Sequence, residues 1–254
     1  MKQIKDLLRE ITSVIRVTDH DPRRVWAEMD EYVPTDRIIS YYREILDVLA
    51  ETRRGTTERV CIWISGFFGS GKSHFLKILG YLLGKKSLQD PDGHLHSSCE
   101  FLSRKLKLET FLPLLEKELT NYVLFINLLD YDPQDPKRPT ISRFVYKKLL
   151  EEKGFSTDFW VAEWEKEFQR LDKWDTFREW VRATYNRSWE EERILNADVV
   201  LRNAIQNLLP DRYHDNDEAK EAIENSKRRY ATISPSELVR ELNQEAKKLH
   251  PQNG

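Results

Sequence analysis

Gly66-Phe67-Phe68-Gly69-Ser70-Gly71-Lys72-Ser73 restricts the fold of this chain more than any other stretch. It matches the phosphate-loop pattern G-x-x-x-x-G-K-[ST] at every fixed position. Glycines let a backbone curl until successive N–H groups point inward at phosphate oxygens, and a following helix N-terminus adds partial positive charge. The flanks suit such a loop. Val60-Cys61-Ile62-Trp63-Ile64 is apolar and β-branched, which predicts a buried strand. From Ser73 to Leu83 the residues Phe75, Leu76, Ile78, Leu79, Leu82 and Leu83 fall at helical spacing, and Gly84 is a stop signal. Here Gly66, Phe67, Phe68, Gly69, Ser70 and Gly71 form the cradle. Lys72 reaches the β and γ phosphates of ATP, and Ser73 offers its hydroxyl to Mg²⁺. His74 either orients groups near the γ phosphate or packs locally.

The rest of the chain is organised around that unit. Asp21 is placed to cap a short helix through Met29, and Thr35 to cap a stronger one carrying Ile38, Ile39, Tyr42, Ile45, Leu46 and Leu49. Residues 1–17 also carry aliphatics at helical spacing. Pro91-Asp92-Gly93 is a turn signal, and helical patterning resumes from Cys99 to Leu119. Tyr122 to Leu129 reads as a second buried strand, followed by a proline-rich loop, and from Ser142 onward the pattern is helical. Strand, helical excursion, strand predicts a parallel α/β sheet. The expected fold is thus an α/β P-loop NTPase core with a large, mostly helical C-terminal region. A working NTPase also needs an acid for Mg²⁺ at the end of a neighbouring strand. Asp130 is the one candidate; the competing reading makes Tyr122–Leu129 an ordinary sheet strand with a polar end.

Bulk properties exclude several classes. A net charge of −2 argues against a polybasic nucleic-acid binder. Two cysteines, Cys61 in the expected strand and Cys99 in a polar stretch, make no disulfide framework. No apolar run approaches the roughly 20 residues of a membrane span, and the N-terminus lacks the apolar core of a signal peptide, so a soluble, cytoplasmic protein is expected. Five of the seven tryptophans lie between Phe159 and Trp189. A packed helical subdomain is the favoured account, and a protein-interaction surface is the alternative. Base stacking is disfavoured, because residues 151–192 hold twelve acids and seven bases. His94, His96 and Cys99 put three potential metal ligands within six residues, a weak signal without a second cluster, so a solvated loop is favoured. The basic runs Lys227-Arg228-Arg229 and Lys247-Lys248 read as solvated faces.

Trp63 to Lys77 is more particular than a generic phosphate loop. Together with Glu31-Tyr32-Val33-Pro34-Thr35-Asp36 and Phe125-Ile126-Asn127-Leu128-Leu129-Asp130-Tyr131, it resembles the nucleotide-binding segment of the BrxC family, the large P-loop ATPases of bacterial BREX phage-defence systems. The resemblance covers residues 1–135, and the family is similar to the AAA+ and initiator-type ATPases. It implies an AAA+-like core. Residues 1–55 would be a helical lead-in to the nucleotide pocket, with Val33 packing on adenine beside Tyr32. Residues 56–140 would be the α/β core, and 141–254 a helical insertion or continuation. It further implies ATP-driven assembly or remodelling of a defence complex on DNA, with other BREX proteins as partners, a homo-oligomer, and at most weak or indirect DNA contact. The family's chains are several times longer, and no apolar strand ending in Asp-Glu lies between Ile141 and Gly254. The chain is therefore expected to be an N-terminal fragment that binds ATP without efficient hydrolysis. An AAA+ regulator or DNA-transaction motor outside phage defence fits the loop equally. A non-catalytic assembly module is the third reading.

Overall fold

The computed structural model describes residues 15–53, 61–119, 121–131 and 140–248. The chain divides into two compact units, Met1–Leu128 with Asn243–Gly254, and Leu129–Leu242.

In the first unit, α1 (Pro22–Glu31) begins where expected. The Asp21 carboxylate accepts from the Arg24 amide at 3.0 Å, and Pro22 occupies the first helical position, where no N–H is needed. Next comes α2 (Asp36–Arg53), with Thr35 Oγ1 accepting from the Ile38 amide. Helix α3 (Lys72–Gly84) ends on left-handed Lys85. Strands β1 (Ser87–Gln89) and β2 (Leu95–Ser97) form an antiparallel hairpin in which Ser87 pairs with Ser97. The hairpin turns through Gly93 at φ +91°. Ser97 then caps α4 (Ser98–Lys105). Apolar faces of these elements meet in one core, with Met29, Tyr42, Leu46, Ile78, Leu82 and Leu102 fully buried.

The second unit is helical: α5 (Ile141–Glu152), α6 (Phe159–Arg170), α7 (Trp174–Tyr185), α8 (Trp189–Leu195), α9 (Ala197–Leu208) and α10 (Asn216–Arg229), followed by α11 (Pro235–Lys248), whose residues beyond Leu242 are counted with the first unit. Its centre is aromatic. Phe168 stacks on Phe177 at 4.4 Å, and Trp189 meets Phe177 edge-on at 4.9 Å. Trp164 and Trp189 are buried, and Trp160, Trp174 and Trp180 are half-buried against the same cluster. The tryptophan-rich stretch is therefore packing material. Glu165 joins α6 to its surroundings from a fully buried position. It accepts from the Ser156 amide at 2.6 Å, the Trp189 indole at 2.7 Å and the Arg193 guanidinium at 2.9 Å. No partner is lost, so the buried carboxylate is tolerated.

The expected α/β P-loop NTPase core with a parallel sheet is not what forms. Among the described residues the structure is mostly helical, and its sheet is the β1–β2 hairpin alone. The two apolar runs taken for strands behave differently from strands and from each other. Residues 61–67 have no regular structure, with Trp63 88% exposed and Cys61 also exposed. Residues 121–127 are likewise irregular but half-buried, lying along α3 through Val123 and Phe125. Side-chain pattern marks a segment that wants burial; a strand also needs a neighbour to accept and donate along its length. Cys99, expected in a polar stretch, is 1% exposed. The helical pattern of residues 1–17 falls almost wholly outside the described residues, as does the proline-rich run 132–139.

Candidate functional site

The phosphate-loop sequence adopts a definite geometry. Gly69 and Gly71 sit at φ +78° and +83°, where a side chain is disfavoured. Gly66 differs: a Cβ there would stand 2.8 Å from Ser70 Oγ, a hydroxyl on an exposed side chain that can rotate away. The Ser70 amide donates to the Phe67 carbonyl at 3.2 Å, closing the turn, and the Phe75 amide donates to Gly71 at 2.8 Å, opening α3. The leading amides of α3 have no carbonyl one turn back, so they face outward with the positive end of the helix dipole. Lys72 is the first residue of α3, and its side chain turns back over the loop. The ammonium donates to the Gly66 and Phe67 carbonyls at 2.8 and 2.7 Å. Ser73 is exposed on the first turn.

Tyr32, between α1 and α2, and Tyr42 of α2 brace this turn. The Tyr32 ring lies 4.5 Å from the His74 ring, and Tyr42 stacks on Phe75 at 4.2 Å. The two tyrosine hydroxyls bond each other at 3.1 Å, and that of Tyr42 also donates to the Phe75 carbonyl at 3.2 Å. Burial pushes both phenols' pKa values up, so they remain neutral donors. His74 Nε2 bonds the Glu28 carbonyl at 2.9 Å, which directs the imidazole toward α1; burial holds its pKa below the ordinary histidine value. Val33 follows Tyr32 and is 84% exposed. One turn further along α3, Lys77 is fully buried, with its ammonium 2.5 Å from the Glu28 carboxylate and 3.1 Å from the Arg16 carbonyl. This ion pair ties α3 to α1 beneath the loop.

The structure thus brings Tyr32 to the helical turn that carries Ser73 and His74, and Val33 is the exposed residue that follows it in the chain. Asp130 is exposed in a 3₁₀ turn (Leu128–Asp130) and is counted with the second unit, whereas the loop is counted with the first. The aromatic bracket and the Glu28–Lys77 pair were not anticipated from sequence. A lysine in the apolar run Phe75-Leu76-Lys77-Ile78-Leu79 was the available signal for the second. No model of a known protein family matches the chain, and no solved structure matches it. Among the described residues no helix is long and apolar enough to cross a membrane.

Proposed function

We propose that this chain binds ATP with Mg²⁺ at the Gly66–Ser73 loop, as the nucleotide-binding part of a cytoplasmic BREX-type defence ATPase that works with other proteins of its system on DNA. One observation carries the binding reading. Left-handed Gly71 leads directly into α3, and the ammonium of Lys72 is held over a loop whose glycines leave its backbone open to a polyphosphate. In this reading phosphate oxygens replace the Gly66 and Phe67 carbonyls as partners of Lys72. Ser73 takes the metal, and Val33, beside the braced Tyr32, packs on adenine. The defence assignment rests on the sequence resemblance alone. Phosphoryl transfer requires in addition an acid on the metal and a group that orients water, and binding is the activity proposed.

Calorimetry with Mg-ATP on the parent chain and Lys72→Ala tests this. The parent should bind one nucleotide, and the variant should bind at least about tenfold more weakly, a loss of roughly 1.4 kcal/mol, with an unchanged helical circular-dichroism spectrum. Equal affinity in the two proteins sinks the proposal.

A second reading, an assembly module that does not depend on nucleotide, is favoured by the exposure of Trp63, Phe67 and Phe68 at 88%, 91% and 103%. Aromatic rings in the open are characteristic of binding hot spots. Under that reading Phe67→Ser/Phe68→Ser abolishes partner capture and Lys72→Ala does not.

A further inference from the structure

The β1–β2 hairpin assembles something that the spacing of His94, His96 and Cys99 did not show. Those three residues formed an incomplete ligand set, and the fold changes its membership. Cys99 is buried in the core cluster of the first unit. Asp90 and Asp92, from the turn between the two strands, come to the histidines instead. Single ligand atoms of Asp90, Asp92 and His94 all lie within 4.8 Å of one another. His96 reaches the same centre from β2, with its Nε2 2.9 Å from Asp90 Oδ2, the oxygen that His94 Nδ1 approaches at 3.2 Å.

We propose that Asp90, Asp92, His94 and His96 form a binding site for a divalent transition-metal ion of the zinc class. Two imidazoles and two carboxylates are a donor set that such ions accept, at bond lengths of roughly 2.0–2.2 Å. Four ligands around an ion at that distance stand about 3.3 Å apart along each tetrahedral edge. The nitrogen–oxygen separations of 3.2 and 2.9 Å already match two such edges. Small side-chain rotations of Asp92 and His94, both on the exposed turn, bring in the rest. Two members are oriented by groups that bind no metal. Asp90 Oδ1 accepts from the Asp92 and His94 amides at 3.0 and 2.8 Å, which turns Oδ2 toward the rings. The His96 ring lies 4.9 Å from Trp26 of α1, which limits its rotation. Fixed ligands of this kind lower the cost of gathering a site. The His94 side chain is 74% exposed, so an ion has a path in. Magnesium and calcium are disfavoured by the imidazoles, since both prefer all-oxygen shells.

The untagged 254-residue chain titrated with Co²⁺ as a spectroscopic stand-in tests the site. The expected result is one Co²⁺ per chain, the intense visible bands of tetrahedral cobalt, and their loss on adding Zn²⁺. His94→Ala and His96→Ala should each weaken binding at least about tenfold. Lys72→Ala should bind the metal like the parent, which separates this site from the nucleotide loop. His94 is exposed, so its variant should keep the parent circular-dichroism spectrum even if removing His96 loosens the contact with Trp26. Absence of saturable binding overturns the proposal. So does a weak octahedral spectrum, or unchanged binding in the His94→Ala/His96→Ala double variant; Asp90 would then be a turn residue that happens to gather two histidines.

Discussion

Single residues carry two kinds of information here, and only one is visible in a sequence. Gly71 was legible because the phosphate-loop pattern fixes a glycine there, and its positive φ agrees; Gly69, at a variable position of the pattern, adopts a positive φ as well. Lys77 and His74 were not legible, because their roles depend on α1 arriving from elsewhere in the chain. Lys77 sits in an apolar run that reads as core, and it is core, made tolerable by the Glu28 carboxylate and the Arg16 carbonyl. His74 follows Ser73, and the sequence left open whether it orients groups near the γ phosphate or packs locally; the Glu28 carbonyl holds its ring. Its burial makes a pH prediction. Desolvation depresses the folded-state pKa, opposed by the bond to Glu28, while the unfolded chain titrates near about 6.5. Below about pH 6.5 the unfolded state therefore takes up a proton that the folded state refuses. Stability should fall as the pH drops from about 6.5 toward the folded-state value, and His74 should contribute no slope above that range. Denaturant unfolding at about pH 7.5 and about pH 5.5 checks this. His74→Gln, which keeps a donor for the Glu28 carbonyl, should lose less stability between the two pH values than the parent. Equal losses would show that His74 does not titrate as its burial requires.

At the scale of elements, helices were legible and strands were not. Asp21, Thr35 and Gly84 signal helix ends through local chemistry, and all three helices obey them. A strand has no comparable private signal. Val60–Ile64 and Tyr122–Leu129 share the same apolar, β-branched character, but residues 61–63 are exposed, whereas residues 122–127 are half-buried with Val123 and Phe125 against α3. What the second does with its side chains is specific. Phe125 reaches so far into α3 that a Cβ on Gly80 would come within 2.2 Å of its ring, and Val123 does the same at Gly84 with 3.3 Å. Gly80 is therefore a contact glycine in a helix interior, where replacement by alanine would otherwise gain about 1 kcal/mol in helix propensity. Overpacking of this kind costs roughly 1–3 kcal/mol. The Phe125 ring has little room to swing away, since it also lies 6.0 Å from Tyr81 and 5.7 Å from His20. Gly80→Ala should thus destabilise the first unit by up to about 2 kcal/mol net. In a Phe125→Leu background, which shortens the intruding side chain, the same substitution should become neutral or stabilising. A denaturant-unfolding cycle over the four proteins measures it. A penalty that persists without Phe125 would mean that Gly80 is needed for its own backbone.

For the whole molecule, length admitted one large domain or two modest ones, and the choice was settled by where apolar side chains gather. One core collects α1, α2, α3, β1 and α4 around Met29, Leu46 and Leu82. Another collects α6 through α10 around Phe168, Phe177 and Trp189. The helical pattern of residues 142 onward and its tryptophans were legible as a packed body, because aromatic pairs at helical spacing need a common interior. That the first body is also mostly helical was not legible, since the phosphate-loop pattern brings with it an expectation of a sheet. The division has a consequence for ligand binding. A ligand that binds only the folded state stabilises the cooperative unit it touches, by about 2.7 kcal/mol at a concentration of roughly 100 times its Kd. If the nucleotide sits on the Gly66–Ser73 loop, that energy enters the first unit. Hydrogen exchange with and without Mg-ATP reads it out. Core amides of α1, α3 and α4 that exchange by opening of that unit should slow by up to about 100-fold. Amides of α6, α9 and α10 should exchange at their original rates, and Lys72→Ala should remove the effect altogether. Equal slowing in both sets would show that the two cores open as one, and slowing confined to α6–α10 would place the nucleotide on the other unit.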